Sequence, residues 1–262
     1  PLNSAMRAEE MAPILAAADL DAIVAWPRHL PLLEVAQSVA GTDIPVAAAS
    51  LDALPRAGRP APADAIDARS EAAMLFTSGT TGKPKGCVLS NDYFTWIGQF
   101  YATLGGHCAF REGEDRILTP LPVNHMNAIA CSFMAAMMTG GCLIQLDRFH
   151  ASRWWQTVRE TRATVIHYLG VMPAILLQRD ADDVTGLAVR FGFGAGVDPR
   201  HHATFEQRFG FPLVEAWAMT ETGAAAWITA NREPRHVGTR CFGQAPAHLE
   251  ALRRLGPTPL HR

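Results

Sequence analysis

Ten consecutive residues, Thr77-Ser78-Gly79-Thr80-Thr81-Gly82-Lys83-Pro84-Lys85-Gly86, combine glycines, hydroxyls and lysines in a pattern suited to phosphate. Gly79, Gly82 and Gly86 let the backbone turn its N–H groups toward one point, and Thr77, Ser78, Thr80 and Thr81 add hydroxyl donors. Lys83 and Lys85 supply charge for polyphosphate oxygens. A Walker P-loop is excluded by spacing, because Gly79 and Gly82 are too close and Pro84 follows Lys83 where a serine or threonine is required. Glu221, taken alone, reads as a carboxylate at a helix N-terminus interacting with the helix dipole. The adjacent His201 and His202 sit on a helix and point to different faces, so they cannot chelate jointly and are expected to be solvated.

The elements that position these residues read as an α/β unit. From residue 71 onward, short β-branched or apolar runs alternate with helix-length periodic runs. A strand at Ala73–Phe76 leads into the glycine-rich loop, and a helix carrying Tyr93, Ile97, Phe100, Tyr101 and Leu104 follows, capped by Ser90 or Asn91. Further strands are expected at Arg116–Thr119, Cys142–Leu146, Thr164–Tyr168, Ala188–Phe193 and Leu213–Ala216. Helices are expected over Ala128–Met138, from Ser152, around Pro173 and from Asp198-Pro199. Each motif then falls just past a strand's C-terminal end, the edge where open parallel sheets bind ligands. Trp154-Trp155 lies far from any strand end and reads as core packing.

Residues 1–53 read as a partial first subdomain with a helix at Ala8–Ala17 and strands at Ala22–Trp26 and Ile44–Ala49, Pro13 sitting awkwardly in the helix. Residues 54–70 read as a linker or surface excursion, 71–250 as the ligand-binding subdomain and 251–262 as a tail.

Bulk composition is that of an ordinary soluble protein: 262 residues, 48% hydrophobic, 18% charged, net charge -2. No broad basic field exists for nucleic acid or an anionic membrane. The five cysteines are scattered without metal-binding spacing and read as reduced core thiols. The apolar run Met126–Leu146 is broken by Gly140-Gly141, which favours a buried helix and strand over a membrane span. A cytoplasmic location is the default expectation.

The decapeptide resembles the phosphate-loop signature of the adenylate-forming superfamily of acyl-CoA synthetases, luciferases and peptide-synthetase adenylation domains. Three more motifs follow in that family's order. Leu121-Pro122-Val123-Asn124-His125 resembles the segment whose histidine lies beside the acyl pocket. Phe193-Gly194-Ala195-Gly196 resembles the turn against adenine, and Trp217-Ala218-Met219-Thr220-Glu221-Thr222 the segment usually written Tyr-Gly-x-Thr-Glu. The resemblance implies a layered αβαβα large N-terminal domain, incomplete here and without the C-terminal lid. It implies ATP and Mg²⁺, with CoA as co-substrate of the full-length enzyme, and activation of a small carboxylic acid as an acyl-adenylate. Under it, Thr77 to Lys85 wrap the β- and γ-phosphates, and Thr80 and Lys85 count with Thr220 and Glu221 as catalytic. Thr220 contacts the α-phosphate and Glu221 holds the metal. Gly194, Ala195, Gly196, Glu215, Ala216, Trp217, Ala218 and Met219 bind the nucleotide, Trp217 by stacking near adenine. His125, Val171, Met172 and Trp217 set the acyl pocket.

Trp217 and Ala218 stand where tyrosine and glycine are usual, which leaves the backbone less room. Asn124-His125 stands where an amino-acid adenylation domain would offer an amine-pairing aspartate, so a plain carboxylic acid is expected. Residues 142–176 and 235–243 are similar to the crotonobetaine/carnitine-CoA ligase branch. The resemblance also implies longer chains at both ends, so poor activity is expected of these residues alone. A non-catalytic nucleotide-binding scaffold and an amino-acid adenylation domain are the alternatives. A homodimer is one assembly open to it.

Overall fold

The computed structural model describes residues 1–3, 5–49, 65–78, 84–179, 184–229 and 231–239. The chain divides into two compact units, residues 1–93 and 94–262, so residues 71–93 group with the first.

In the first unit, helix α1 (Ala8–Ala17) and helix α2 (Leu30–Ala40) pack over a parallel pair of short strands, β1 (Ile23–Ala25) and β2 (Val46–Ala48). Met11, Leu15, Ile23, Leu33 and Ala36 form the core they share. Pro13 is accommodated inside α1 without ending it. The sequence reading had no counterpart of α2. It enters through a 3₁₀ turn at Pro27–His29 with proline again in its first turn, where the missing N–H costs nothing, and it stops at Gly41 with φ 67°.

Strand β3 (Glu71–Ser78) pairs antiparallel with β4 (Pro84–Ser90), ending in the pairs Thr77–Lys85 and Ser78–Pro84. This corrects the expectation that the glycine-rich loop leads from a strand into a helix at a parallel sheet's edge. The missed signal is the alternation in Cys87-Val88-Leu89, where Leu89 is buried and Val88 exposed, the pattern of a strand with one solvated face. Helix α3 (Asn91–Thr103) begins only after β4, with Ser90 Oγ accepting from Tyr93 N at 3.3 Å.

In the second unit, six strands lie in the order β10-β9-β8-β7-β5-β6. β5 (Arg116–Thr119), β6 (Cys142–Gln145), β7 (Val165–Leu169), β8 (Phe191–Ala195) and β9 (Leu213–Met219) are parallel; β10 (Gly223–Thr229) runs antiparallel to β9. Helices cover both faces. On one face α5 (Trp154–Thr161), α6 (Val171–Leu177) and α7 (Pro199–Phe209) bury Trp154, Trp155, Met172, Phe205 and Phe209 against Ile166, Tyr168 and Leu213. On the other, Tyr101 of α3 meets Phe193 edge-on at 4.8 Å, and α4 (Phe133–Thr139) crosses α3 closely at Gly98. The tryptophan pair is core, as expected. The helix expected at 128–138 is a π-helical opening over Asn127–Ser132 continued by α4.

Polar staples tie the amino-terminal edge of this sheet. Asp115, 1% exposed, accepts two bonds from Arg190 at 2.7 and 2.8 Å and one from Thr164 Oγ1 at 2.7 Å, joining the residues just before β5, β7 and β8. Beside β9, His202 is fully buried rather than solvated, which corrects its sequence reading. Leu213 O can only accept, so His202 carries its proton on Nε2, and Nδ1 accepts from Gly238 N. Glu206 accepts from His202, from Leu213 N at 2.7 Å and from both Arg235 guanidinium nitrogens at 2.8 and 2.6 Å. Cys108 and Cys131 are buried, Cys87 and Cys142 half-buried, all four as free thiols; Cys241 lies outside the described residues. Among the described residues no helix is long and apolar enough to cross a membrane.

Burial pushes the Glu206 carboxyl up, but its bonds from His202, Arg235 and Leu213 outweigh burial and hold its pKa at about 2, below the ordinary 4.5. A depressed folded-state pKa contributes stability above the unfolded value that is lost as pH falls through the folded one. Urea unfolding should therefore lose on the order of 3 kcal/mol between pH 4.5 and about 2 from this group. Glu206→Gln should remove that part of the pH dependence while lowering stability at pH 7.

Candidate active site

The strand order creates a crevice before any side chain is considered. From β5 the chain steps outward to β6, then returns across β5 to β7 and proceeds through β8 to β9. The connections leaving β5 and β7 thus diverge, and ligands of open α/β sheets bind outside the carboxyl ends of strands at such a switch point. The segment Leu121–His125 leaves β5 here, and Gly170-Val171-Met172 leaves β7.

The next two strand ends are shaped by close backbone approach. A side chain at Gly194 would collide with Tyr168 O, and one at Gly170 would collide with Gly196 O, so the ends of β7 and β8 admit only hydrogen at both positions. Gly196 turns with φ 78°, and the turn is held from β9, where Glu215 Oε1 accepts from Val197 N at 2.6 Å. Glu215 is thereby given a visible task at the Gly194-Ala195-Gly196 turn. Gly170 was not singled out in the sequence; its signal is a glycine directly after a buried strand.

β9 is longer than the sequence suggested. Beyond Ala216, where the expected strand ended, Trp217, Ala218 and Met219 also belong to the strand because β10 pairs back along it, with Gly223 opposite Met219 and Trp227 opposite Trp217. Thr220, Glu221 and Thr222 form a tight hairpin turn closed by Thr222 N donating to Met219 O at 3.2 Å. No helix follows to offer Glu221 an N-terminal dipole, which excludes that alternative for the carboxylate. Thr220 is 7% exposed, Glu221 is exposed and Trp217 is 47% exposed, so the turn shows its carboxylate and its neighbouring ring to solvent.

Around the crevice, Val171 is 62% exposed, whereas Met172 is turned into the core. His125 is exposed, and partial desolvation of its ring lowers its pKa from the ordinary histidine value. Asn127 N donates to His125 Nδ1 at 3.3 Å, so the neutral ring carries its proton on Nε2. Behind it, His167 of β7 is 4% exposed, and burial pushes its pKa down to about 4.

The second unit therefore brings His125, Val171, Gly194, Ala195, Gly196, Glu215, Trp217, Thr220 and Glu221 to the carboxyl edge of one sheet. Thr77 and Ser78 end β3 and Lys85 lies in β4, all in the first unit; Gly79, Thr80, Thr81, Gly82 and Lys83 lie outside the described residues. Among the described residues no group of three or more histidine, cysteine, aspartate or glutamate side chains converges on a metal position. A metal shared with phosphate and water needs only one such carboxylate, and the exposed Glu221 fits that demand.

A glycine-lined carboxyl edge in a doubly covered parallel sheet defines an open α/β architecture of the kind that takes ligands at its strand ends. The family of AMP-binding enzymes matches residues 1–252, and the chain belongs to that family. It is 34% identical over 255 residues to sulfoacetate–CoA ligase of Cupriavidus necator, covering 93% of this chain and 48% of that protein. It is 31% identical over 153 residues to crotonobetaine/carnitine–CoA ligase of Escherichia coli, covering 58% of this chain and 29% of that one. The inhibitor-bound N-terminal domain of FACL13 from Mycobacterium tuberculosis shares the fold, with a TM-score of 0.74 at 21% identity over 88% of this chain and 58% of that chain. The chain spans about half the length, or less, of these curated relatives.

The crowding at Gly170 makes a direct prediction. Gly170→Ala must part the ends of β7 and β8, costing about 2 kcal/mol by overpacking. Thermal unfolding should show a drop of roughly 4–8 °C for a unit of this size. An unchanged melting temperature would mean the two backbones do not approach as described.

Proposed function

We propose that this protein activates a small carboxylic acid with ATP, forming an acyl-adenylate that its longer relatives' chemistry would pass to CoA as a thioester. The observation that carries the reading is the carboxyl edge just described, in a chain whose family binds AMP and whose curated relatives are acyl-CoA ligases.

The roles follow from the residues' chemistry. The loop from Thr77 to Lys85, with Thr80 and Lys83 among its donors, would take the β- and γ-phosphates, which a glycine-rich turn with hydroxyls and lysines suits. The Gly194-Ala195-Gly196 turn would lie against adenine on the open side of Gly196, where nothing stands within 4 Å of a side-chain position. Trp217 offers an exposed indole for stacking. Thr220 would donate to the α-phosphate and Glu221 would hold Mg²⁺. When bound, that ion would neutralise charge on the phosphates.

The reaction is a displacement at phosphorus. A carboxylate oxygen of the acid attacks the α-phosphorus, a new O–P bond forms, and the bond to pyrophosphate breaks with its electron pair leaving on pyrophosphate. The protein's part is mostly position and electrostatics. His125, through its Nε2–H, would donate to an oxygen of the acid, and Val171 would bound the acyl group. Asn124-His125 offers no carboxylate to pair an amine, which supports a plain acid over an amino acid. A cytoplasmic location suits the nucleotide and CoA.

ATP–pyrophosphate exchange tests the reading. Exchange should require both an acid and Mg²⁺, and Glu221→Gln or Lys83→Ala should each lower it by roughly a hundredfold or more. Acid-independent exchange, or full activity in Glu221→Gln, would contradict the assignment.

A further inference from the structure

His167 is a buried imidazole for which the reaction above has no direct use. On β7 it stands beside Phe193, ring centroids 6.1 Å apart, on the face covered by α3, α4 and the π-helical segment. An apolar side chain of similar shape would pack there without a desolvation cost. What the imidazole adds is its hydrogen bond, from Nδ1 to Ser132 Oγ, and Ser132 is itself 1% exposed.

The protons in this group can be assigned by elimination. Ser132 Oγ lies 3.1 Å from Asn127 O, which can only accept, so the single hydroxyl proton goes to that carbonyl. Ser132 must then accept from His167, which places the His167 proton on Nδ1. The same residue, Asn127, donates its N–H to His125 Nδ1. A chain of contacts thus leads from the middle of β7 to the ring of His125, joined through the position of Asn127, whose carbonyl holds Ser132 and whose N–H holds His125. It spans the π-helical opening. Because burial keeps His167 neutral near pH 7, protonation does not scramble the chain.

We infer that His167 is a positioning residue for His125, acting through Ser132 and Asn127, and that this chain keeps the His125 Nε2–H directed at the acyl substrate's oxygen. The inference rests on the proposed placement of His125 beside the acid.

The experiment combines kinetics with ¹⁵N spectra of the histidine rings, the His125 signal being identified by its loss in His125→Gln. In the unsubstituted protein His125 should show the Nε2–H tautomer. His167→Leu and Ser132→Ala should each convert it to a mixture, and each should raise the KM for the acid about tenfold while leaving the KM for ATP unchanged. His167→Asn, whose side-chain amide can donate to Ser132 as Nδ1 does, should restore the tautomer and the KM; a purely space-filling role would not distinguish Asn from Leu in this way. An unchanged His125 tautomer in both His167→Leu and Ser132→Ala would overturn the inference, as would failure of His167→Asn to differ from His167→Leu. The spectra need no turnover, so a protein without adenylating activity would overturn the functional reading and still decide this one.

Discussion

Everything at the carboxyl edge of the second unit depends on how closely two parallel strands approach as they end. At Gly170 and Gly194 each strand turns a bare Cα toward the other's carbonyl region, and neither position tolerates a Cβ. That contact sets the path of the Gly194-Ala195-Gly196 turn, and Glu215 fastens the turn from the next strand through Val197 N. Gly196, at the end of that turn, is left open, with nothing within 4 Å of where a side chain would stand.

The two edges of the sheet divide their tasks. At the amino-terminal edge the charges are spent on one another: Asp115 with Arg190 and Thr164, an arrangement that is buried and fully bonded. At the carboxyl edge His125, Glu221 and Trp217 are exposed residues. Fold stability and ligand chemistry are separated along the strand direction, as expected where strand ends and switch points make binding sites. The chain from His167 to His125 extends this logic by using a core residue to orient a surface one.

Much of this was legible in the sequence because it depends on local signals. The cap at Asp198-Pro199 and the buried run Val165–Tyr168 each have a local physical cause, and each element lies where that cause puts it. The β3–β4 and β9–β10 hairpins were not legible, since their pairing is decided by partners and not by the few residues of either strand. Trp217 to Met219 read as lying past the strand because alternation over three residues is too short to show until β10 lies alongside. His202 read as surface because a histidine's burial depends on finding Glu206 and Leu213 O, which only the packed helix supplies. The same applies to His167: its partner is 35 residues away, and nothing in His167-Tyr168-Leu169 announces it.

The central claim is that this carboxyl edge receives a nucleotide, and amide hydrogen exchange with and without Mg-ATP addresses it most directly. The account predicts slowed exchange in residues 192–197 and 217–223 together with the loop at 77–86, all saturating at one nucleotide concentration, while amides near Asp115 and Arg190 stay unchanged. Binding of Mg-ATP that leaves the 192–197 and 217–223 amides untouched would contradict it.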